Sequence, residues 1–194
     1  MNDITKYEMD IVLILVKSPE IEYNANSIAK IVNITPSGAL KILRRLEKES
    51  VLKSRRVGQA IIYNINTENK YALDYVSLIL TREKIYSVPR IKRWVEELKK
   101  IKHADTIILY GSVLKSDNYN DVDVVFVTNN KLIKKLEKEI NELNNINVKR
   151  IHPLYQTSDD LINNIKKNDK VLLNAIKGII VKGENNFVTL SINI

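Results

Sequence analysis

Two apolar runs, TIILY (Thr106 to Tyr110) and DVDVVFV (Asp121 to Val127), are joined by a short polar loop. Runs this apolar and this rich in β-branched residues read as strands of a buried sheet. The second one nevertheless opens with two acids. Side chains two apart on a strand share a face, so Asp121 and Asp123 project together while Val122 and Val124 project the other way. Two neighbouring carboxylates repel each other and resist burial beside Val125 and Val127, whereas a divalent cation with oxygen ligands would neutralise both. Gly111 and Ser112 end the first run, where a small residue lets backbone N–H groups and a hydroxyl approach a phosphate closely. A phosphate and a metal ion can then share one edge. Each motif alone is weak, because Gly-Ser turns and strand-opening Asp-x-Asp pairs also occur without a ligand.

Composition narrows the chemistry. The chain has 194 residues, 44% of them hydrophobic, which is enough for two small domains. It has no cysteine, which excludes disulfides, thiolate metal sites and cysteine nucleophiles, and only His103 and His152 offer imidazole. Histidine chemistry is therefore not expected. No run of eighteen apolar residues occurs and MNDITKYEMD lacks the basic-then-apolar pattern of a secretion signal, so a cytoplasmic protein without a membrane partner is expected. A net charge of +8 favours a polyanionic partner, provided that the charge is concentrated.

It is concentrated near the N-terminus. An apolar stripe at Ile4, Tyr7, Ile11 and Leu15 predicts a first helix, and NANSIAKIV a second, capped by Asn24 or Asn26. In TPSGALKILRRLEKES, Thr35 caps a third helix, Pro36 takes its first position, and Ala39, Ile42, Leu43 and Leu46 face the core. Its other face carries Ser37, Lys41, Arg44 and Lys48, with Arg45 alongside. VLKSRRVGQAIIYNIN then reads as a hairpin turning at Gly58, with Arg55, Arg56 and Gln59 near its tip. From Lys41 to Arg56 there are seven basic residues against two acids.

This order of elements, with the helix TPSGALKILRRLEKESVL and the wing SRRVGQAIIYNI, resembles the winged helix-turn-helix domains of small prokaryotic transcription regulators over residues 1–68. The resemblance implies that the helix from Thr35 enters the major groove of double-stranded DNA. Ser37, Lys41, Arg44 and Arg45 would face bases or phosphates, and Arg55, Arg56 and Gln59 the adjacent backbone or minor groove. An ordinary solvated helix face, or a protein-interaction module, is the competing reading.

Residues 69–90 read as a helical linker broken at Pro89, which packs along the chain or pairs with a second copy in a homodimer. Trp94, Val95 and Leu98 are expected in the core of the domain that follows, residues 91–194. There, helices and strands alternate: a helix from Ile91, TIILY, DVDVVFV, KLIKKLEKEINEL, NVKRIHPLY, one helix over SDDLINNIKKNDKVLLNAI, and GIIVKG. The fold class expected overall is α+β: winged helix-turn-helix, helical connector, and a mixed sheet with flanking helices.

LYGS followed after eight residues by DVDVVFV resembles the polymerase-β-like nucleotidyltransferase superfamily, especially its minimal prokaryotic branch, over about residues 91–183. That resemblance implies that Gly111 and Ser112 bind the phosphates of ATP or another nucleoside triphosphate, and that Asp121 and Asp123 hold Mg2+ as the catalytic and metal-binding pair. Active members usually add a third carboxylate on a later strand. Here INVKRIHPL offers Asn147, Lys149 and Arg150, so the acid would have to come from Asp117, Asp159 or Asp160, or the domain is catalytically weak. Two functions follow: a DNA-binding transcription regulator whose second domain binds Mg-nucleotide, or an active nucleotidyltransferase acting on a protein, nucleic-acid or small-molecule hydroxyl.

Overall fold

The computed structural model describes residues 4–192 and divides the chain into two compact units at Ile79/Leu80. This division falls inside helix α4 (Lys70–Ile85), earlier than the boundary expected near Pro89. The reason is visible in the second half of α4, where Lys84 is buried, pairs with Glu184 and donates to the Val181 carbonyl at 3.1 Å. Pro89 breaks the helix without dividing the units.

In the first unit, α1 (Lys6–Lys17), α2 (Ala25–Val32) and α3 (Pro36–Lys48) precede a hairpin of β1 (Leu52–Val57) and β2 (Ala60–Ile65). Each helix starts on a side-chain cap. Thr5 and Asn24 close reciprocal capping boxes, and the Thr35 hydroxyl accepts from the Gly38 N–H at 3.1 Å with Pro36 at the first helical position. Ala39, Leu43 and Leu46 of α3 are buried against a core that includes Ile11, Val12, Leu15 and Val16, while Ile42 is only half-buried. The stripe expected on α1 is rotated: Tyr7 lies in solvent and Glu8 is buried in its place. β1 and β2 are antiparallel from Leu52↔Ile65 to Val57↔Ala60, and the turn passes through Gly58 at φ +59°. Tyr23 adds a single bridge to Tyr63, the stub of a third strand.

The second unit is built on a four-stranded mixed sheet in the order β5-β4-β3-β6: β3 (Thr106–Tyr110), β4 (Asp121–Val127), β5 (Arg150–Gln156) and β6 (Ile179–Lys182). β3 is antiparallel to β4 and β6, and β4 is parallel to β5. Ile107, Leu109, Val122, Val124 and Phe126 share one buried cluster with Trp94, Leu98, Leu136 and Ile140 from α5 (Pro89–Leu98) and α6 (Ile133–Ile146). Strand alternation puts Ile108, Val125 and Val127 on the opposite face, and they too are fully buried. A sheet covered on both faces explains why these strands are near-continuous hydrophobic runs. α7 (Ser158–Lys166) and α8 (Lys170–Ala175) replace the single helix expected there, because Asn168 adopts φ +59° between them. α9 (Glu184–Ile192) follows β6. Among the described residues, no helix is long and apolar enough to cross a membrane.

Candidate nucleic-acid and metal sites

The basic face of α3 survives in three dimensions. Ser37, Lys41, Arg44 and Lys48 are exposed, and their spacing of three and four residues aligns them on one side of the helix. The Ser37 hydroxyl lies 3.2 Å from that of Thr35, so the start of this face is ordered by its cap.

Arg45 belongs elsewhere. It points back to Glu8, which is 3% exposed, and Glu8 also accepts from the Tyr75 hydroxyl. A buried carboxylate needs such partners to remain charged. Arg45 thus serves the packing of α1 and α4, which corrects its placement among the DNA-facing residues. Burial, then the hydrogen bond to Glu8, raises the Tyr75 phenol well above its ordinary range.

On the wing, Arg55, Arg56 and Gln59 are all exposed. Consecutive strand residues point to opposite faces, so Arg55 and Arg56 cannot present a single patch. Arg55 pairs with Glu22, and Arg56 Nε donates to the Gly58 carbonyl at 3.1 Å, bracing the turn.

At the other site, the β3–β4 ladder ends at Tyr110↔Asp123, so the chain leaves β3 at Gly111 directly beside the two acids. Gly111 adopts φ +84°, and a Cβ there would lie 2.0 Å from Asp123 Oδ2. Only glycine fits. Ser112 then starts a single 3₁₀ turn with its side chain in solvent. Asp121 is exposed and Asp123 half-buried, while Val122 and Val124 are fully buried on the other face. Burial, with Asp123 as a second cause, raises the Tyr110 phenol above its ordinary value.

The parallel register of β5 supplies what the sequence reading missed. It pairs Asp121 with Arg150 and Asp123 with His152, so the imidazole stands on the face of the two acids. His152 Nδ1 is 3.4 Å from Asp123 Oδ1, and one ligand atom from each of Asp121, Asp123 and His152 lies within 4.8 Å of the others. Histidine chemistry was not expected from the sequence, and the structure sets an imidazole beside both acids. The signal was present in the matching spacing of Arg150-x-His152 and Asp121-x-Asp123, but it has meaning only once the strands are adjacent.

None of the three acids considered as a third carboxylate joins this cluster. Asp117 is solvent-exposed and bound by Arg90 Nη1 at 3.2 Å. Asp160 closes the capping box of α7 with Thr157, which lowers its pKa below the ordinary value. Asp159 is exposed in the same first turn, and Glu142 faces solvent.

The loop that carries Ser112 is fastened at both ends. Arg90 donates to the Val113 carbonyl at 2.9 Å and the Leu114 carbonyl at 3.1 Å. Buried Trp94 donates to the Tyr119 hydroxyl at 2.9 Å, and Lys149 Nζ sits 5.7 Å from the centre of the Tyr119 ring. Lys149 is thereby engaged with an aromatic ring.

No protein-family model and no curated protein matches the chain. Solved structures similar to it include the homodimeric winged helix-turn-helix DNA-binding domain of Mb0332 from Mycobacterium bovis, at 18% identity, 42% of this chain, 71% of that one and a TM-score of 0.35. Wild-type ZitR from Lactococcus lactis aligns at 19% identity over 53% of this chain and 65% of its own, with a TM-score of 0.34. MepR, a transcription regulator of the Staphylococcus aureus multidrug efflux pump MepA, aligns at 20% identity over 50% of this chain and 77% of its own, with a TM-score of 0.36. The similarity therefore extends over about half of the chain. The winged-helix description of the first unit rests on its own element order, caps and hairpin.

Proposed function

We propose that the protein is a DNA-binding transcription regulator whose second unit has a nucleotidyltransferase-like fold and binds a nucleoside triphosphate with a divalent ion. The DNA reading is supported by the exposed line Ser37, Lys41, Arg44 and Lys48 on a capped helix followed by a basic wing. The observation that carries the nucleotide reading is the contact of Gly111 with Asp123: the turn suited to phosphates and the carboxylates suited to the ion are one structure.

The donor set fits a divalent ion, with Asp121 and Asp123 as oxygen ligands and His152 completing the cluster. Bound there, Mg2+ or a similar ion would neutralise the triphosphate and favour displacement at the α-phosphorus. The chain's own part is positioning: Gly111 admits the close approach, Ser112 offers a hydroxyl at the turn, and Arg90 with Trp94 holds the loop. An active nucleotidyltransferase is the second reading, favoured by His152 occupying the strand from which a further ligand was expected.

Fluorescence anisotropy with duplex DNA at several salt concentrations tests the first unit. Lys41→Ala/Arg44→Ala should weaken binding by roughly ten- to a hundredfold and reduce the salt slope by about two. Arg55→Ala/Arg56→Ala should give a weaker effect of the same kind. Affinity that stays constant in both variants would overturn the DNA reading. For the second unit, calorimetry with ATP and a divalent ion should show binding that Ser112→Glu abolishes, since a carboxylate would stand where phosphate is proposed. Equal binding by this exposed-site variant would remove the turn from the nucleotide site.

A further inference from the structure

We infer that the cluster of Asp121, Asp123 and His152 selects a first-row divalent transition ion, such as Mn2+ or Co2+, over Mg2+. The inference rests on reading the start of β4 as an ion site and adds the identity of the ion. Three observations carry it. The third ligand is a ring nitrogen, contributed by a different strand and held in register beside Asp123. Mg2+ is a hard ion that favours oxygen ligands and gains little from imidazole, whereas transition ions gain affinity when nitrogen joins the donor set. One separation is also close to that required, and all three ligand atoms lie within 4.8 Å of one another. Neighbouring ligands in an octahedral site with bonds of about 2.1 Å lie roughly 3 Å apart, and Asp123 Oδ1 and His152 Nδ1 are already at 3.4 Å.

The surroundings leave these groups available. Among the described residues, the Asp121 side chain makes no hydrogen bond or ion pair, and the side chain of Arg150, its partner in the strand register, does not pair with it. The His152 side chain is 75% exposed, so its position beside Asp123 is not forced by core packing. On its other side Asp123 packs directly against Gly111, where no Cβ could stand. Asp117, Asp159 and Asp160 are engaged or exposed elsewhere, so no third carboxylate restores the all-oxygen set that would favour Mg2+.

Calorimetry on the full chain without nucleotide, using MnCl2, CoCl2 and MgCl2 separately, tests this. Wild type should bind Co2+ about tenfold or more tightly than Mg2+, with Mn2+ between them. His152→Ala should weaken Co2+ and change its visible absorption spectrum, which reports nitrogen ligation directly. His152→Asp should narrow the Co2+/Mg2+ ratio by strengthening Mg2+. Because the His152 side chain is exposed, circular dichroism should show these variants folded. Equal affinity for Co2+ and Mg2+ in wild type, or an unchanged Co2+ spectrum in His152→Ala, overturns the inference. Asp121→Asn/Asp123→Asn separates the two claims. If it abolishes ion binding while the His152 variants behave as wild type, the ion site stands and its selectivity does not. If it leaves ion binding intact, the site reading itself fails.

Discussion

Each unit buries a paired charge, Glu8 with Arg45 in the first and Lys84 with Glu184 in the second, but they differ in the charge they leave exposed. The first buries its one acidic side chain of consequence, Glu8, inside a set closed by Arg45 and Tyr75, and leaves a row of cations exposed on α3. The second buries both faces of its sheet in hydrocarbon and leaves two carboxylates and an imidazole together where β4 begins. The comparison teaches that formal charge does not identify a functional residue. Arg45 and Arg44 are neighbours in sequence, yet one is satisfied internally and the other is exposed. On the helix, function follows the face turned from the core. Where β4 begins, it follows the register between strands.

The sharpest break in this comparison should come at Gly111. Gly111→Ala combines an unfavourable φ with a Cβ at 2.0 Å from Asp123 Oδ2, so a loss of about 2 to 4 kcal/mol is expected in the second unit. Hydrogen exchange should report faster opening of β3 and β4 with the first unit unchanged. Protection equal to wild type would mean that the turn is slack.

Arg45→Ala should cost the first unit about 2 kcal/mol, below the full value for a broken buried pair because the arginine is partly exposed. Duplex DNA affinity, measured on the folded variant, should change far less than it does for Lys41→Ala. An equal loss of DNA affinity would return Arg45 to the nucleic-acid face and dissolve the distinction drawn here.

Trp94→Phe keeps the ring in the core but removes the donor to Tyr119, and should lower stability by about 1 kcal/mol. It should also loosen residues 115–120, which amide exchange can localise. If only global stability falls, Trp94 is a packing residue and not an anchor for the site loop.

The smallest effect is alkaline. Burial first, then Glu8, raises the Tyr75 phenol above the ordinary value of 10.0. The folded state holds the proton longer than the unfolded chain, so this stabilisation is intact below pH 10 and lost as pH rises towards the folded value. Tyr63, Tyr110 and Tyr155 shift in the same direction. Denaturant titrations should therefore show stability falling above pH 10, with a shallower fall in Tyr75→Phe. An identical slope in that variant would show that Tyr75 does not govern it.

Much of this was legible in one dimension because the interactions are local. Thr35 and Pro36 announce α3, Gly58 announces the hairpin, and Asp121 and Asp123 share a face through the two-residue period of a strand alone. Local rules failed where a distant partner chose between equal options. Both Tyr7 and Glu8 can face inward from α1, and Arg45 with Tyr75 decides for Glu8. Asn168 splits the helix expected from Ser158 onward because its left-handed backbone lets α7 and α8 separate, a conformation that residue type permits without requiring.

The sequence by itself determined the two unlike halves, the basic helix and wing, and the pairing of a Gly-Ser turn with an Asp-x-Asp strand, since each is written in spacings of a few residues. Tertiary structure alone decided that His152, not a third carboxylate, meets the two acids. It did so because parallel pairing of β4 with β5 aligns residues 29 positions apart, and no local propensity encodes which strand will lie beside which or in what register.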